Sequence, residues 1–173
     1  MTERCLNVLF LCTHNSARSI LAEALLNHLG QGRCRAYSAG SSPRPNQQPH
    51  PLALAVLREA GIATDGLRSK SWDEFAGPGA PAMDVIITVC DNAAGEVCPV
   101  WPGHPVRVHW GHPDPSAGEA AEAQKLQAFR QVRDRMQHAL RAWLTQAPPA
   151  GADAAALQRW AQALRSPTLQ VEP

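Results

Sequence analysis

The chain lacks an excess of charge of either sign, because 16 Lys and Arg residues oppose 15 Asp and Glu residues. A formal charge of +1 at pH 7 argues against nucleic acid as a partner, since nucleic-acid-binding proteins usually carry a basic patch. Long hydrophobic runs are also lacking: the apolar stretch VLFLC at residues 8–12 is far shorter than the ~20 residues that span a bilayer. No signal-peptide apolar region with a small-residue cleavage site is present. We therefore expect a soluble cytoplasmic protein with no membrane partner.

A complete set of intramolecular disulfides is excluded as well, because the chain has five cysteines and five is an odd number. Five thiols indicate a reducing compartment, in which cysteines serve chemistry or packing. Cys5 and Cys34 have no partner at motif spacing, and we interpret them as packing residues. With 173 residues, 45% of them hydrophobic, the chain is long enough to bury a core.

Apolar, strand-like runs alternate with helix-like segments along the chain. Strands are predicted at residues 6–12, 35–38, 84–90 and 106–110, and helices at 16–29, 51–59 and 117–144, with a short helical turn at 71–75. The alternation predicts an α/β fold with a four-stranded, parallel, open sheet flanked by helices. Ligands of such sheets bind beyond the carboxyl ends of the strands, so the candidate site follows Cys12, Cys90 and Trp110.

Residues 1–146 are predicted to form one domain and residues 147–173 a C-terminal tail. Pro148 and Pro149 end the long helix near this boundary. Residues 153–164 could form one more short helix, because Leu157, Trp160 and Leu164 fall on one helical face.

The first predicted strand leads into a C-x5-R-S motif, Cys12-Thr13-His14-Asn15-Ser16-Ala17-Arg18-Ser19. Between a strand and a helix, the amides of such a loop can point inward and bind a tetrahedral anion. Arg18 can hold two anion oxygens, and this positive field is expected to lower the pKa of Cys12 and make it a nucleophile. Ser19 could donate a hydrogen bond to the thiolate, and Asn15 could hold the loop's shape. The alternative is a small buried cysteine with the arginine on a solvated helix face.

A second pair of thiols, Cys90 and Cys98, follows the third predicted strand. Eight residues of helix would hold them ~12 Å apart, so a disulfide between them requires a bent or remodelled segment. Asn92 and Gly95 tolerate such backbone change. The pair suits a redox relay, and the alternative is two independent buried thiols.

Asp114 lies between two prolines after the fourth predicted strand. On this stiff loop its carboxyl could protonate a leaving oxygen, although a turn or helix-capping aspartate is the alternative. His104, His109 and His112 with Cys98 fit no usual zinc pattern, and we expect these histidines to shape the loop.

Together these motifs resemble the thioredoxin-coupled arsenate reductases, which are built on the low-molecular-weight protein tyrosine phosphatase fold. The resemblance covers about residues 6–144. It rests on VLFLC followed by THNSARSILAEALL, on YSAG at residues 37–40, on LRSKSWDEF at 67–75, on ITVCDNAAGEVCP at 87–99 and on HWGHPDP at 109–115.

The resemblance implies a mechanism for arsenic detoxification. Cys12 would attack arsenate held by the loop amides and Arg18, while Asp114 protonates the leaving oxygen. Cys90 would then attack Cys12 and release arsenite, and Cys98 would resolve the product to a Cys90–Cys98 disulfide that thioredoxin reduces. Glutaredoxin or another thiol is left open as the reductant.

Some members also bind potassium beside the anion loop, and the matching positions here are Asn15, Glu23, Ser38 and Asp73. No tightly bound cofactor is expected otherwise, and we expect a monomer. Two departures from the family stand out: the gap between Cys90 and Cys98 is one residue longer than in the best-known members, and Ala17 stands where many relatives have a cysteine.

Two other functions remain open. A low-molecular-weight tyrosine phosphatase would share Cys12, Arg18 and Asp114 without needing Cys90 and Cys98, but its cleft usually carries aromatic residues beside the acid. Here Pro115, Ser116 and Ala117 follow the aspartate. The other alternative, an oxyanion-binding or redox-sensing module, would bind anions without turnover.

Overall fold

The computed structural model describes residues 5–90, 101 and 104–166. In chain order its elements are β1 (Leu6–Cys12), α1 (Arg18–Leu29), β2 (Cys34–Gly40), α2 (Pro51–Glu59), a short 3₁₀ helix (Trp72–Phe75), β3 (Val85–Thr88), β4 (Val106–His109), α3 (Glu122–Leu144) and α4 (Ala154–Ala163). Cys98 and the segment after Cys90 lie outside the described residues.

The four strands form one parallel sheet in the order β2-β1-β3-β4, which confirms the predicted fold class. Strand β1 lies inside the sheet, as its apolar sequence requires, and Leu11 is paired with Thr88 of β3. The chain runs from β1 to β2 on one side and places β3 on the other. This change of direction opens a crevice at the carboxyl ends of β1 and β3, where ligands bind in such sheets.

The core has a large layer and a small one, on opposite faces of the sheet. Val8 and Phe10 of β1 point into the large layer, together with side chains of α1, α2, α3 and α4. Leu9 and Leu11 point the other way, toward a small cluster that includes Trp72. Because successive strand residues face opposite sides, β1 supplies both layers, and it is apolar from Val8 to Cys12.

Most differences from the predicted boundaries occur where a loop meets an element. Helix α3 begins at Glu122 and not at residue 117, because Gly118 has a left-handed φ of 82° that a right-handed helix does not allow. Helix α1 begins at Arg18 and not at residue 16, because the preceding residues form the loop. Strand β3 is shorter than predicted and β2 is longer. The prediction for α2 is confirmed: Pro51 is its first residue, and the His50 side chain caps it by accepting a bond from Leu52 N.

The helix that the sequence suggests within the tail is present as α4, and it packs into the main core. The rings of Trp143 and Trp160 stack with their centroids 3.8 Å apart. Each indole N–H donates to the backbone carbonyl of the other tryptophan, at 2.6 and 3.0 Å. The helix therefore shares the core of the preceding domain, while the boundary after residue 146 stays a prediction. Within the described ranges, no helix has both the length and the apolar character that a bilayer crossing requires.

Candidate active site

The loop after β1 is built tightly around one left-handed residue. Asn15 has a φ of 55° and is fully buried, and asparagine adopts this backbone more readily than most residues do. The loop lies against the end of β2, where a Cβ atom on Gly40 would stand 2.7 Å from the carbonyl oxygen of Thr13. Because only glycine permits that approach, the YSAG sequence is part of the loop's architecture.

The Asn15 side chain ties the loop to neighbouring segments. Its Nδ2 donates to Ser19 Oγ at 2.8 Å and to Ser38 Oγ at 2.9 Å, and its Oδ1 accepts from Lys70 N at 2.9 Å. The Asn15 carbonyl accepts from Ser69 Oγ at 2.6 Å. These bonds hold the loop's shape, the role that the sequence predicts for Asn15. Ser69 and Lys70 were missed, although they stand in the LRSKSWDEF motif.

The Cys12 thiol lies at the bottom of the loop and is only 4% exposed. Its Sγ is 2.9 Å from Ser19 Oγ and accepts from Asn15 N at 3.2 Å. Burial raises the pKa of Cys12, and although the bonds with Ser19 and Asn15 oppose this shift, they do not outweigh it. The lowered pKa that the sequence predicts for Cys12 is therefore wrong in direction, because desolvation is the largest effect on this thiol.

The guanidinium group of Arg18 has polar partners of its own. Its Nη1 donates to the carbonyl oxygen of His112 at 2.9 Å, and its Nη2 lies 3.9 Å from Asp114 Oδ2. The guanidinium charge is thus partly balanced by a carboxylate at the rim of the site. Arg18 stays beside the loop, where its remaining N–H groups can reach an oxyanion.

Asp114 lies in the loop after β4. Its Oδ1 accepts from the backbone N and the hydroxyl of Ser116 at 2.9 and 2.7 Å, so the turn-forming role left open by the sequence is present. Burial raises the pKa of Asp114, but the Ser116 bonds and the charge of Arg18 outweigh it, and the net pKa is lower than usual. An ionised Asp114 would take up a proton when an oxyanion brings negative charge beside it.

The structure places Cys90 beside this loop. Its side chain is buried, and its Sγ lies 3.5 Å from Thr13 Oγ1. The two thiols are close enough that Cys90 contributes to the raised pKa of Cys12. This neighbourhood follows from the sheet, because β1 and β3 are adjacent and end at the same edge.

A cavity of about 410 Å³ opens over the loop and brings Cys12, Arg18 and Asp114 together. Its other lining residues are Thr13, His14, Ser16, Ala17, Arg44, Gln47, His50 and Ser116. The sequence-predicted binding residues Asn15 and Ser19 are not among them, because their side chains lie beneath the loop. Arg44, Gln47 and His50 were missed because they stand in an irregular, proline-rich segment. The sequence signal that could have identified these three residues is the position of their segment, just after the carboxyl end of β2.

Three of the four positions matched to the potassium site lie together. Ser38 Oγ donates to Glu23 Oε1 at 2.6 Å and accepts from Asn15. Lys70 Nζ lies 3.4 Å from Asn15 Oδ1 and 3.8 Å from Glu23 Oε1, whereas Asp73 is exposed in the 3₁₀ helix. Burial raises the pKa of Glu23 and lowers that of Lys70, and each charge opposes the shift of the other. With an ammonium group already among the oxygens, this arrangement does not fit a potassium ion.

Two histidines near β4 contact neighbouring side chains. His109 Nδ1 lies 2.7 Å from Thr88 Oγ1, and the ring of His112 packs edge-on against Trp110. Burial lowers the pKa of His112 to about 4. In residues 5–90, 101 and 104–166, no group of three or more His, Cys, Asp or Glu side chains could hold a metal ion.

Comparison with known proteins identifies the family. The model of the low molecular weight phosphotyrosine protein phosphatases matches residues 7–159, which include the loop, Cys90 and Asp114. The chain belongs to this family. Among the curated members it is 39% identical to an arsenate reductase of Bacillus licheniformis over 128 residues, or 73% of this chain and 86% of that protein. It is 33% identical to an arsenate reductase of Bacillus subtilis over 134 residues, which are 78% of this chain and 91% of that protein.

Solved structures agree with this placement in the phosphatase family. An arsenate reductase in the phosphate binding state shares 28% identity with a TM-score of 0.63, covering 81% of this chain and 97% of that one. A thioredoxin-dependent arsenate reductase from Corynebacterium glutamicum shares 27% identity with a TM-score of 0.55, and the match covers 79% of this chain and 61% of that one. The roles of the individual site residues stay predictions.

Replacing Gly40 by alanine should distort the loop, because the new Cβ would meet the backbone at residues 13–15. Such overpacking costs roughly 1–3 kcal/mol, and if this cost falls on the anion-binding form of the loop, sulfate affinity, measured by isothermal titration calorimetry, should fall by about 5- to 150-fold. Gly77→Ala is the matched control, since nothing lies within 4 Å of its Cβ position. Unchanged sulfate affinity in Gly40→Ala would show that the loop does not need this close approach.

The raised pKa of Cys12 predicts a pH profile for its alkylation by iodoacetamide. The thiol is neutral below its pKa, so the rate should rise as pH increases, with a midpoint above the ordinary value of 9.0. Ser19→Ala removes a bond that favours the thiolate and should move the midpoint higher still. Mass spectrometry can follow Cys12 separately from the other thiols. A rate already maximal at neutral pH would contradict this direction.

Proposed function

We propose that the protein reduces arsenate to arsenite through a relay of three cysteines, Cys12, Cys90 and Cys98, and that thioredoxin regenerates it. The observation that carries the proposal is the second thiol at the anion loop: Cys90 Sγ lies 3.5 Å from Thr13 Oγ1 and neighbours the nucleophile. A phosphatase needs only one cysteine at this place. The similarity to proteins named arsenate reductase supports the same substrate.

The first step would use the groups that line the cavity. The loop amides and Arg18 bind the arsenate oxygens, and Cys12 Sγ forms a bond to arsenic. Asp114, ionised in the free protein, takes up the proton that the Cys12 thiol gives up and delivers it to one arsenate hydroxyl, which leaves as water. A neutral thiol and an ionised Asp114 suit this exchange, because substrate charge draws protons toward the oxyanion.

The redox step would transfer the electrons from sulfur to arsenic. Cys90 Sγ attacks Cys12 Sγ, so that an S–S bond forms while the S–As bond breaks. The electron pair of the broken bond stays on arsenic, which leaves as arsenite, and the arsenite takes up the proton that the Cys90 thiol loses. Two thiols are oxidised to one disulfide, and this balances the two-electron reduction of arsenic.

The last steps would carry the oxidation out of the site. Cys98 attacks Cys90 Sγ, which frees Cys12 and leaves a Cys90–Cys98 disulfide for a dithiol partner to reduce. A disulfide within the chain favours thioredoxin over a monothiol as the reductant. Cys5, Cys12, Cys34 and Cys90 are all free thiols, which suits the reducing cytoplasm as the compartment.

A phosphatase is the second candidate, because the family and the anion loop suit phosphate esters as well. The described lining of the cavity contains no Phe, Tyr or Trp that could stack on a phosphotyrosine ring. This lining favours a small inorganic oxyanion as the main substrate.

The relay is tested by coupling purified protein to thioredoxin, thioredoxin reductase and NADPH, and by following NADPH oxidation after arsenate is added. Cys12→Ser, Cys90→Ser and Cys98→Ser should each abolish turnover, because each removes one link of the electron path. Cys5→Ser is the control and should retain turnover. After one turnover without thioredoxin, peptide mapping should find a Cys90–Cys98 disulfide. Sustained turnover in Cys98→Ser would rule out the relay as drawn, and phosphate-ester hydrolysis with no disulfide would support the phosphatase.

The acid role of Asp114 predicts a slower first step in Asp114→Asn. General acid catalysis contributes about 10²–10⁴-fold, so single-turnover formation of the disulfide should slow by a factor in this range. Arsenate or sulfate affinity should not fall, since the asparagine keeps the side chain's shape and removes a negative charge beside Arg18. Asp65→Asn, at an exposed position, is the control. An unchanged single-turnover rate in Asp114→Asn would leave Asp114 with its turn-forming role only.

A further inference from the structure

An ammonium group lies beneath the anion loop, surrounded by oxygen atoms. Lys70 Nζ donates to the carbonyl oxygen of Arg68 at 2.7 Å, lies 3.4 Å from Asn15 Oδ1 and is 3.8 Å from Glu23 Oε1. The Lys70 side chain is 8% exposed. A carbonyl, an amide and a carboxylate oxygen are the kinds of ligand that bind a hard cation. Here a cation belonging to the chain occupies it.

The buried carboxylate of Glu23 requires the positive charge of Lys70. The Glu23 side chain is only 13% exposed, and a buried carboxylate without a counter-charge is strongly unfavourable. Arg68 is nearby, but it is largely exposed and forms two bonds to Glu74, at 3.0 and 2.6 Å. Lys70 is therefore the positive group that balances Glu23 in the interior.

The same lysine is linked directly to the loop. Both its backbone N and its ammonium approach Asn15 Oδ1, and the backbone N–H of Asn15 donates to Cys12 Sγ. Removing the ammonium would leave the Glu23 charge and the Asn15 oxygen without their cation. The left-handed turn at Asn15 would then lose part of what holds it.

We propose that the ammonium group of Lys70 takes the place of a bound potassium ion, so that this chain organises its oxyanion loop without any free monovalent cation. Lys70 is a positioning residue that acts through Glu23 and Asn15. The proposal concerns oxyanion binding by the loop and does not depend on the redox relay, so each can fail without the other.

A second cavity makes the proposal testable by rescue. Its volume is about 650 Å³, and both Glu23 and Lys70 line it, together with Tyr37 and Arg35. Solvent cations can therefore reach the position of the ammonium once the lysine side chain is shortened. A potassium or methylammonium ion should then be able to replace it.

The test is sulfate affinity by isothermal titration calorimetry, in potassium chloride or choline chloride of equal ionic strength. Unaltered protein should bind sulfate equally well in both salts. In choline chloride, Lys70→Ala should bind about tenfold more weakly or worse, as expected when a charge-assisted interaction is lost. Potassium chloride or methylammonium chloride should restore most of that affinity in Lys70→Ala.

Two further variants keep the result interpretable. Arg141→Ala removes an exposed positive charge from the last turn of α3 and should match the unaltered protein in every salt. Lys70→Met keeps the length of the side chain without its charge. If Lys70→Ala does not fold, as judged by circular dichroism, Lys70→Met takes its place and should bind sulfate about tenfold more weakly in both salts.

Three outcomes would overturn the proposal. Tighter sulfate binding by the unaltered protein in potassium chloride would mean that a free cation is still needed. Full affinity of both Lys70 variants in choline chloride would remove the lysine from loop positioning. A loss of affinity in Lys70→Ala that neither potassium nor methylammonium repairs would mean that the side chain packs without acting as a cation.

Discussion

The left-handed turn at Asn15 is the constraint on which the anion loop depends. Backbone with a φ of 55° is strained for most side chains, and here the Asn15 amide compensates by bonding to Ser19, Ser38 and Lys70. The N–H of the same residue donates to the Cys12 sulfur. The geometry of the loop and the surroundings of the Cys12 thiol are therefore set together, and Gly40 permits both by letting β2 approach the loop.

Two pairs of opposite charges lie on either side of this loop, and they differ in exposure. Arg18 and Asp114 stand 3.9 Å apart at the cavity, with 19% and 40% of their side chains exposed. Lys70 and Glu23 stand 3.8 Å apart beneath the loop, with 8% and 13% exposed. In the proposed mechanism the cavity pair rearranges around the substrate and Asp114 exchanges a proton, while the inner pair is more deeply buried. The loop therefore lies between the more exposed charge pair and the buried one.

Sheet topology explains how one family can accommodate both phosphatase and redox chemistry. Cys12, the proposed nucleophile, comes from the end of β1, and the strand beside it, β3, leads to Cys90. A thiol at the end of the neighbouring strand reaches the loop without any change to the anion-binding residues. Oxyanion binding and electron transfer can therefore be supplied by separate segments of the same sheet edge.

The sequence alone determined what depends on residues close together in the chain. It identified the four strands, helix α2 with Pro51 at its start, and the C-x5-R-S loop, because apolar runs, proline geometry and motif spacing are local properties. It misplaced the start of α3, because a left-handed Gly118 leaves no clear periodic signal.

Only the tertiary structure decided the direction of the Cys12 pKa shift and the position of Lys70 between Asn15 and Glu23. Lys70 is 55 residues from Asn15, and Cys90, which contributes to the Cys12 shift, lies still farther from Cys12 in the chain, so no local pattern encodes either feature.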